Sequence, residues 1–230
     1  MRLRAVARAL RSRAKRMSEP LRRPASRRDV FTSIYRTGAW GSEESVSGVG
    51  STLDQTERLR LELPGLLRSL EVRSMVDVPC GDFHWMRHVD LDGIDYLGLD
   101  LVPAIVRANR RRYARAGTQF AVKDVVHEAL PRVDLILCRD LLVHLSLPEI
   151  RSALANMKAS GSTWLLTTTF FGVHDFNEIP TGSWRPLNLE RPPFNFPPPL
   201  QLLVEDCTLE DGKWPDKSLG LWRLSDLPGR

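Results

Sequence analysis

The chain has no run approaching the roughly 18 consecutive apolar residues that a membrane-spanning helix needs, so no segment of it reads as a span. Cysteine is scarce. Cys80, Cys138 and Cys207 are three in number and widely spaced, and two of them lie in apolar, strand-like runs. That excludes a disulfide framework and favours reduced structural thiols in a cytoplasmic protein. Acid is nearly missing from the first 28 residues, where 11 Lys and Arg face Glu19 alone, while the remainder carries 22 Lys and Arg against 27 Asp and Glu. The formal net charge of +5 therefore belongs to the start of the chain. The body is mildly acidic and lacks the basic surface that polyanion affinity requires, so no nucleic acid is expected as a partner. Glycine is short in one telling place: "VDVPCGDFHWM" (76–86) has the outline of a strand running into a glycine loop, yet holds Gly81 where such loops hold three glycines.

The basic start, "MRLRAVARALRSRAKRM", spaces Leu3, Val6, Leu10 and Met17 as on one face of a helix. A solvated or partly packed helix explains it, and weak contact with an anionic membrane surface is the alternative. It shares an arginine-rich, acid-poor character with transit peptides but lacks a secretory apolar core. We divide the chain into this tail (1–28), a lid and helix (29–72) and a core (73–230).

In the second part, "GAWGSEESVSGVGSTLDQT" is polar and glycine-rich, and is followed from Thr52 to about Leu70 by an amphipathic run interrupted by Pro64. In the core, short apolar runs alternate with helical patterns. "SMVDV", "DYLGLDL", "QFAVKD", "VDLILCRD" and "STWLLTTTF" are five strand candidates. A helix with Pro103 in its first turn and Gly117 as its stop lies between the second and third. Another, capped by Ser146 and closed by Gly161, lies between the fourth and fifth. After a long proline-rich connection, "LQLLVEDC" and "SLGLWRLSDL" form a terminal antiparallel hairpin. The expected fold is α/β: a seven-stranded, Rossmann-like sheet with helices on both faces.

In such sheets ligands sit beyond the carboxyl ends of the strands. Asp77 closes the first strand, Asp100 the second at the place where an acid bonds ribose hydroxyls, and Asp124 the third, within reach of the base of the same nucleoside. A dinucleotide needs several glycines for close approach to its pyrophosphate. Here Asp82 would repel a pyrophosphate but suit an amine or sulfonium. The loop therefore favours S-adenosylmethionine, with Gly81 as the point of closest backbone approach.

Asp77 to Phe83 resembles motif I of the class I S-adenosylmethionine-dependent methyltransferases, an acid followed by GxGxG, and Asp100 and Asp124 match that family's later acids. Two of the three motif glycines are replaced. The resemblance covers roughly residues 37–227 and implies the seven-stranded methyltransferase fold. It implies a cofactor site of Asp77, Pro79, Gly81, Asp82, Phe83, Asp100, Leu101, Asp124, Val125 and Arg139. Trp40, Gly41 and Ser42 would come from a lid whose sequence is similar to that of a mainly actinobacterial subgroup. More loosely, the whole is similar to the O-methyltransferases that modify mannosides in mycobacterial polysaccharide synthesis.

Methyl transfer from a sulfonium is an in-line displacement, and an alcohol acceptor must also lose a proton. His144 in "CRDLLVHLS" is the expected general base, with Asp140, one helical turn earlier, orienting it or contacting a ligand. The proline-rich connection offers Trp184, Arg185, Asn188 and Phe194 to grip a small polar or oligosaccharide acceptor. Because some sugar methyltransferases use magnesium, Asp140 and His144 with Asp175 or Glu178 are the candidate ligands. His84 and His88, four apart on the partly buried helix expected after the first strand, are a weaker metal pair. Natural-product or N-methyl transfer is the alternative reaction, and a non-catalytic cofactor-binding interaction module the alternative class.

Overall fold

The computed structural model describes residues 26–172 and 174–228. The basic tail before Ser26 lies outside the described residues. Helix α1 (Arg27–Thr37) starts at Ser26, whose hydroxyl accepts from the Asp29 amide while the Asp29 carboxylate takes the Ser26 N–H. It runs across the expected boundary at residue 28 and stops at Gly38, which is left-handed.

The expected run from Thr52 is helical only as α2 (Glu57–Ser69), after a 3₁₀ turn at Val49–Ser51. Pro64 is buried within α2 and does not divide it. Five parallel strands follow: β1 (Ser74–Asp77), β2 (Asp95–Asp100), β3 (Thr118–Val122), β4 (Leu135–Cys138) and β5 (Trp164–Phe170). Helix α3 (Pro103–Tyr113) joins β2 to β3, and α4 (Leu147–Ala159) joins β4 to β5. Helix α3 ends four residues before Gly117, which serves the tight turn into β3 instead. The Ser146 cap of α4 holds as expected, completed by Glu149 as a capping box.

Strands β6 (Gln201–Val204) and β7 (Lys217–Arg223) pair antiparallel, with β7 inserted between β5 and β6 to give the order β3-β2-β1-β4-β5-β7-β6. The expected seven-stranded sheet with its terminal hairpin is the observed one. Strand alternation sends Val76, Ile136 and Leu165 to one face, where α4 adds Ile150, Ala153 and Met157. Met75, Leu135, Leu137 and Leu166 go to the other, under Leu59, Leu63, Leu66 and Leu67 of α2 and Val106 of α3.

One expected element is missing. No helix follows β1; the chain turns, and only Met86–His88 makes a 3₁₀ turn. Phe83 sits at φ 60°, in the left-handed region, which stops a right-handed helix there. Its ring, with Trp85, Met86 and Val89, is buried against Tyr96 and Phe120, so the segment fills the core without helical regularity.

Candidate active site

A cavity of about 440 Å³ runs along the carboxyl ends of β1 to β4 and under the segment around Trp40 to Ser51. Its lining brings together Asp77 at the end of β1 with Pro79, Gly81 and Asp82 after it, Asp100 at the end of β2 with Leu101 after it, Asp124 and Val125 after β3, and Arg139 and Asp140 after β4. Ten of the expected residues thus line one space because strand ends in a parallel sheet fall side by side.

Each acid has a distinct setting. Asp77 is 3% exposed and accepts a hydrogen bond from Tyr96 Oη at 2.5 Å. Burial pushes its carboxyl up to about 7 despite that bond and the nearby Arg139. Asp100 accepts from the Val102 amide at 2.8 Å and the Gly81 amide at 3.2 Å, and burial raises it to about 6. Asp124 is held by Arg27 of α1 at 2.6 Å, and the same guanidinium reaches Glu149 of α4 at 2.5 Å. Asp82 faces the lid, accepting from Ser45 Oγ (2.9 Å), the Val46 amide (3.0 Å) and Ser47 Oγ (3.4 Å). Glu44, in the same segment, pairs with His84 Nε2 at 2.7 Å.

The loop's donors are already spent. Cys80 N–H donates to the Leu99 carbonyl, Gly81 N–H to Asp100 and Asp82 N–H to Ser47 Oγ, while Pro79 has none. With no helix N-terminus behind it, the loop offers no cradle for a pyrophosphate. Gly81 is left-handed at φ 50°, and a Cβ there would lie 2.0 Å from Ser47 Oγ, so the lid closes onto it only because it is glycine.

Asp140 does not orient His144. It adopts φ 54° and points its carboxylate at Lys217 Nζ (2.8 Å) and Arg139 Nη1 (3.3 Å). Burial opposes its ionisation, but the two cations overcome this and hold the carboxyl well below its usual range. Lys217 and Arg139 also grip Glu205 at 3.2 and 2.6 Å, closing a four-charge network. His144, in a 3₁₀ turn (Leu142–His144), is oriented instead by the Ser183 carbonyl, 2.8 Å from Nδ1. A carbonyl only accepts, so Nδ1 carries the proton and Nε2 keeps its lone pair. Burial lowers the imidazole's proton affinity more than the Ser183 bond and Asp140 raise it. Trp40 stacks on the ring at 5.0 Å between centroids.

Other expected residues lie elsewhere. Phe83 is core and does not line the cavity. Gly41 and Ser42 shape the lid turn, Ser42 Oγ accepting from the Glu44 and Ser45 amides. Of the acceptor set only Trp184 lines the cavity. Arg185 is buried, bonded to the carbonyls of Val143 and Leu145. Asn188 is tied to the Gly172 carbonyl and the Glu190 amide. Phe194 packs on Phe176. The magnesium set is not assembled: Asp175 is exposed away from the cavity, Glu178 accepts from the Leu147 amide, and among the described residues no three His, Cys, Asp or Glu side chains converge as a metal site. His84 and His88 lie with ring centroids 6.5 Å apart and belong to no such cluster.

Sequence reasoning missed Arg27, Phe31, Tyr35, Phe170, Trp214 and Lys217, all of which line the cavity. Lys217 carried a usable signal, as a cation directly before the apolar run of a strand.

No protein-family model and no curated protein matches the chain. Solved structures do. Human N-acetylserotonin methyltransferase in complex with S-adenosylmethionine superposes with a TM-score of 0.59 at 14% identity, over 87% of this chain and 60% of that one. An amino pentose methyltransferase from Micromonospora echinaspora involved in calicheamicin biosynthesis gives 0.43 at 21% identity, over 51% of each chain. The chain thus spans between about half and three fifths of the length of these two proteins. The likeness to the human enzyme establishes the fold, that of the class I methyltransferases. Among the described residues no helix is long and apolar enough to cross a membrane.

Proposed function

We propose that the protein is an S-adenosylmethionine-dependent methyltransferase acting on a hydroxyl group, with His144 as general base. The observation that carries the reading is the convergence of Asp77, Asp100 and Asp124 on one cavity whose loop has no free amide for a phosphate. The volume of about 440 Å³ is of the size that takes a cofactor-sized ligand.

The residues fit this cofactor by their chemistry. Each oxygen of Asp100 accepts one backbone N–H and keeps a lone pair for a ribose hydroxyl. Leu101, Val102, Val125 and Val126 supply apolar surface for a base, beside Asp124. Asp77, whose charged form is disfavoured by burial, gains from a cation placed near it, which suits the amino-acid end. When bound, the cofactor supplies an electrophilic methyl carbon on a sulfonium.

This chain's own part is to hold the acceptor and manage its proton. The fixed tautomer of His144 leaves Nε2 as the acceptor of a hydroxyl proton, and its lowered affinity keeps the imidazole neutral at neutral pH. Trp40 against one face of the ring, and the Ser183 carbonyl, keep it from turning away. Asp140 and Lys217 neutralise each other beside it. The saccharide expectation keeps only Trp184 of its gripping set, since Arg185 and Asn188 serve the backbone. His144→Ala tests the assignment: transfer of labelled methyl should fall by a factor of 10² to 10⁴ while cofactor affinity stays within threefold. Undiminished turnover would remove His144 from the chemistry.

A further inference from the structure

Much of the cavity wall is built from aromatic faces. Phe31, Tyr35, Trp40, Phe170, Trp184 and Trp214 all line it. Trp184 and Trp214 meet edge to face at 4.9 Å between centroids, and Phe170 lies 5.9 and 5.8 Å from them. Trp184 adjoins Ser183, whose carbonyl fixes His144, so the base and this wall are set by consecutive residues. Trp184 is 39% exposed, with Val46 (44%) and Val49 (41%) also apolar and open on the cavity lining.

The free polar group of this wall is Trp214 Nε1, buried without a hydrogen-bond partner among the described residues and able to donate to one acceptor. Among the described residues no Asn or Gln lines the cavity, and Asp140 and Lys217 bond each other. A saccharide would bring several hydroxyls out of water, and each one left unpaired costs affinity. A flat aromatic ring brings faces and edges, which this wall matches.

We infer that the acceptor is a planar aromatic ring carrying a phenolic hydroxyl, its ring against Trp184 and Trp214 and its hydroxyl at Nε2 of His144. This rests on the methyl-transfer reading and narrows it to a substrate class. In the transfer the hydroxyl proton passes to Nε2 and the oxygen forms the bond to the methyl carbon. The carbon–sulfur bond breaks with its electron pair staying on sulfur, which loses its positive charge. Proton affinity agrees with the geometry. A phenol ionises near 10, as tyrosine does, and an aliphatic hydroxyl close to water's value of about 15.7. Proton transfer to a reluctant imidazole is therefore about 10⁵ to 10⁶ times less unfavourable from a phenol.

The test uses the full chain with labelled S-adenosylmethionine and three acceptors, 1-naphthol, methyl mannoside and 1-naphthylamine, together with equilibrium binding of the cofactor alone. The inference expects methylation of 1-naphthol and none of methyl mannoside. Trp184→Ala should lower kcat/KM for 1-naphthol about tenfold or more with cofactor affinity unchanged, and Trp184→Phe should recover most of the loss. In the absence of cofactor, 1-naphthol should also quench tryptophan fluorescence in the wild type and less in Trp184→Ala. Cofactor binding with transfer to methyl mannoside or 1-naphthylamine but not to 1-naphthol overturns the phenol and leaves methyl transfer standing. Cofactor binding with no transfer to any of them likewise overturns it. Failure to bind the cofactor at all overturns the methyltransferase reading and this inference with it.

Discussion

Asp77→Asn should make the protein more stable at pH 8 and less able to bind its cofactor. The Asp77 carboxyl is buried among β1, β2 and β4 and is pushed up to about 7 in the fold from an ordinary 3.8, chiefly because burial penalises its charge. Between these two values the folded chain keeps a proton that the unfolded chain has released. Stability contributed by that proton is whole below pH 3.8 and is lost as pH rises through 7. At roughly 1.36 kcal/mol per pH unit, the deficit above pH 7 is about 4 kcal/mol. Asparagine carries no charge and still accepts from Tyr96 Oη through its carbonyl, though the neutral hydrogen bond is weaker by about 1 kcal/mol. The net gain at pH 8 is on the order of 3 kcal/mol, shrinking toward zero near pH 4. Urea unfolding of both proteins at pH 4.5, 6 and 8, followed by circular dichroism, measures it, with calorimetric titration of S-adenosylmethionine in parallel. A variant less stable than the wild type at pH 8, or a difference that does not change with pH, would refute the reasoning.

Three further perturbations separate site from scaffold. Gly81→Ala places a Cβ where Ser47 Oγ sits and costs about 1–2 kcal/mol at its left-handed φ, so cofactor affinity measured by titration should fall at least tenfold as the lid lifts. Arg139→Met leaves Glu205, whose side chain is 1% exposed, with Lys217 alone; denaturant unfolding should show a loss of about 3–5 kcal/mol. Arg27→Ala frees Asp124 and Glu149 together, and hydrogen exchange should quicken in α1 by more than tenfold with the sheet amides unchanged.

The sheet was legible because its signals are local and repeated. "SMVDV" and "DYLGLDL" alternate faces within a few residues, and Ser146 with Glu149 announces a helix start within four. Asp77, Asp100 and Asp124 fall on one cavity, Asp124 two residues beyond the end of β3, because a parallel sheet puts every strand end on one edge, so chain position alone gives the neighbourhood. The helix expected after β1 failed on a single dihedral: Phe83 turns left-handed to reach an aromatic core, which periodicity does not register. The pairing of Asp140 with His144 failed for a related reason. Spacing of four implies a shared face only in a helix, and here the stronger partner, Lys217, lies 77 positions away on β7. Residue type alone makes Arg185 and Asn188 look like sugar donors. A long connection folded over the sheet edge must satisfy its own carbonyls, and those side chains do so.

Calorimetric titration of the full chain with S-adenosylmethionine, set beside NADH, tests the central claim most directly. The account predicts one S-adenosylmethionine bound per chain, at least a hundredfold weaker in Asp100→Ala, and no NADH binding, since the loop amides that would hold a pyrophosphate are already engaged. Binding of NADH without S-adenosylmethionine, or equal S-adenosylmethionine affinity in Asp100→Ala, would contradict it.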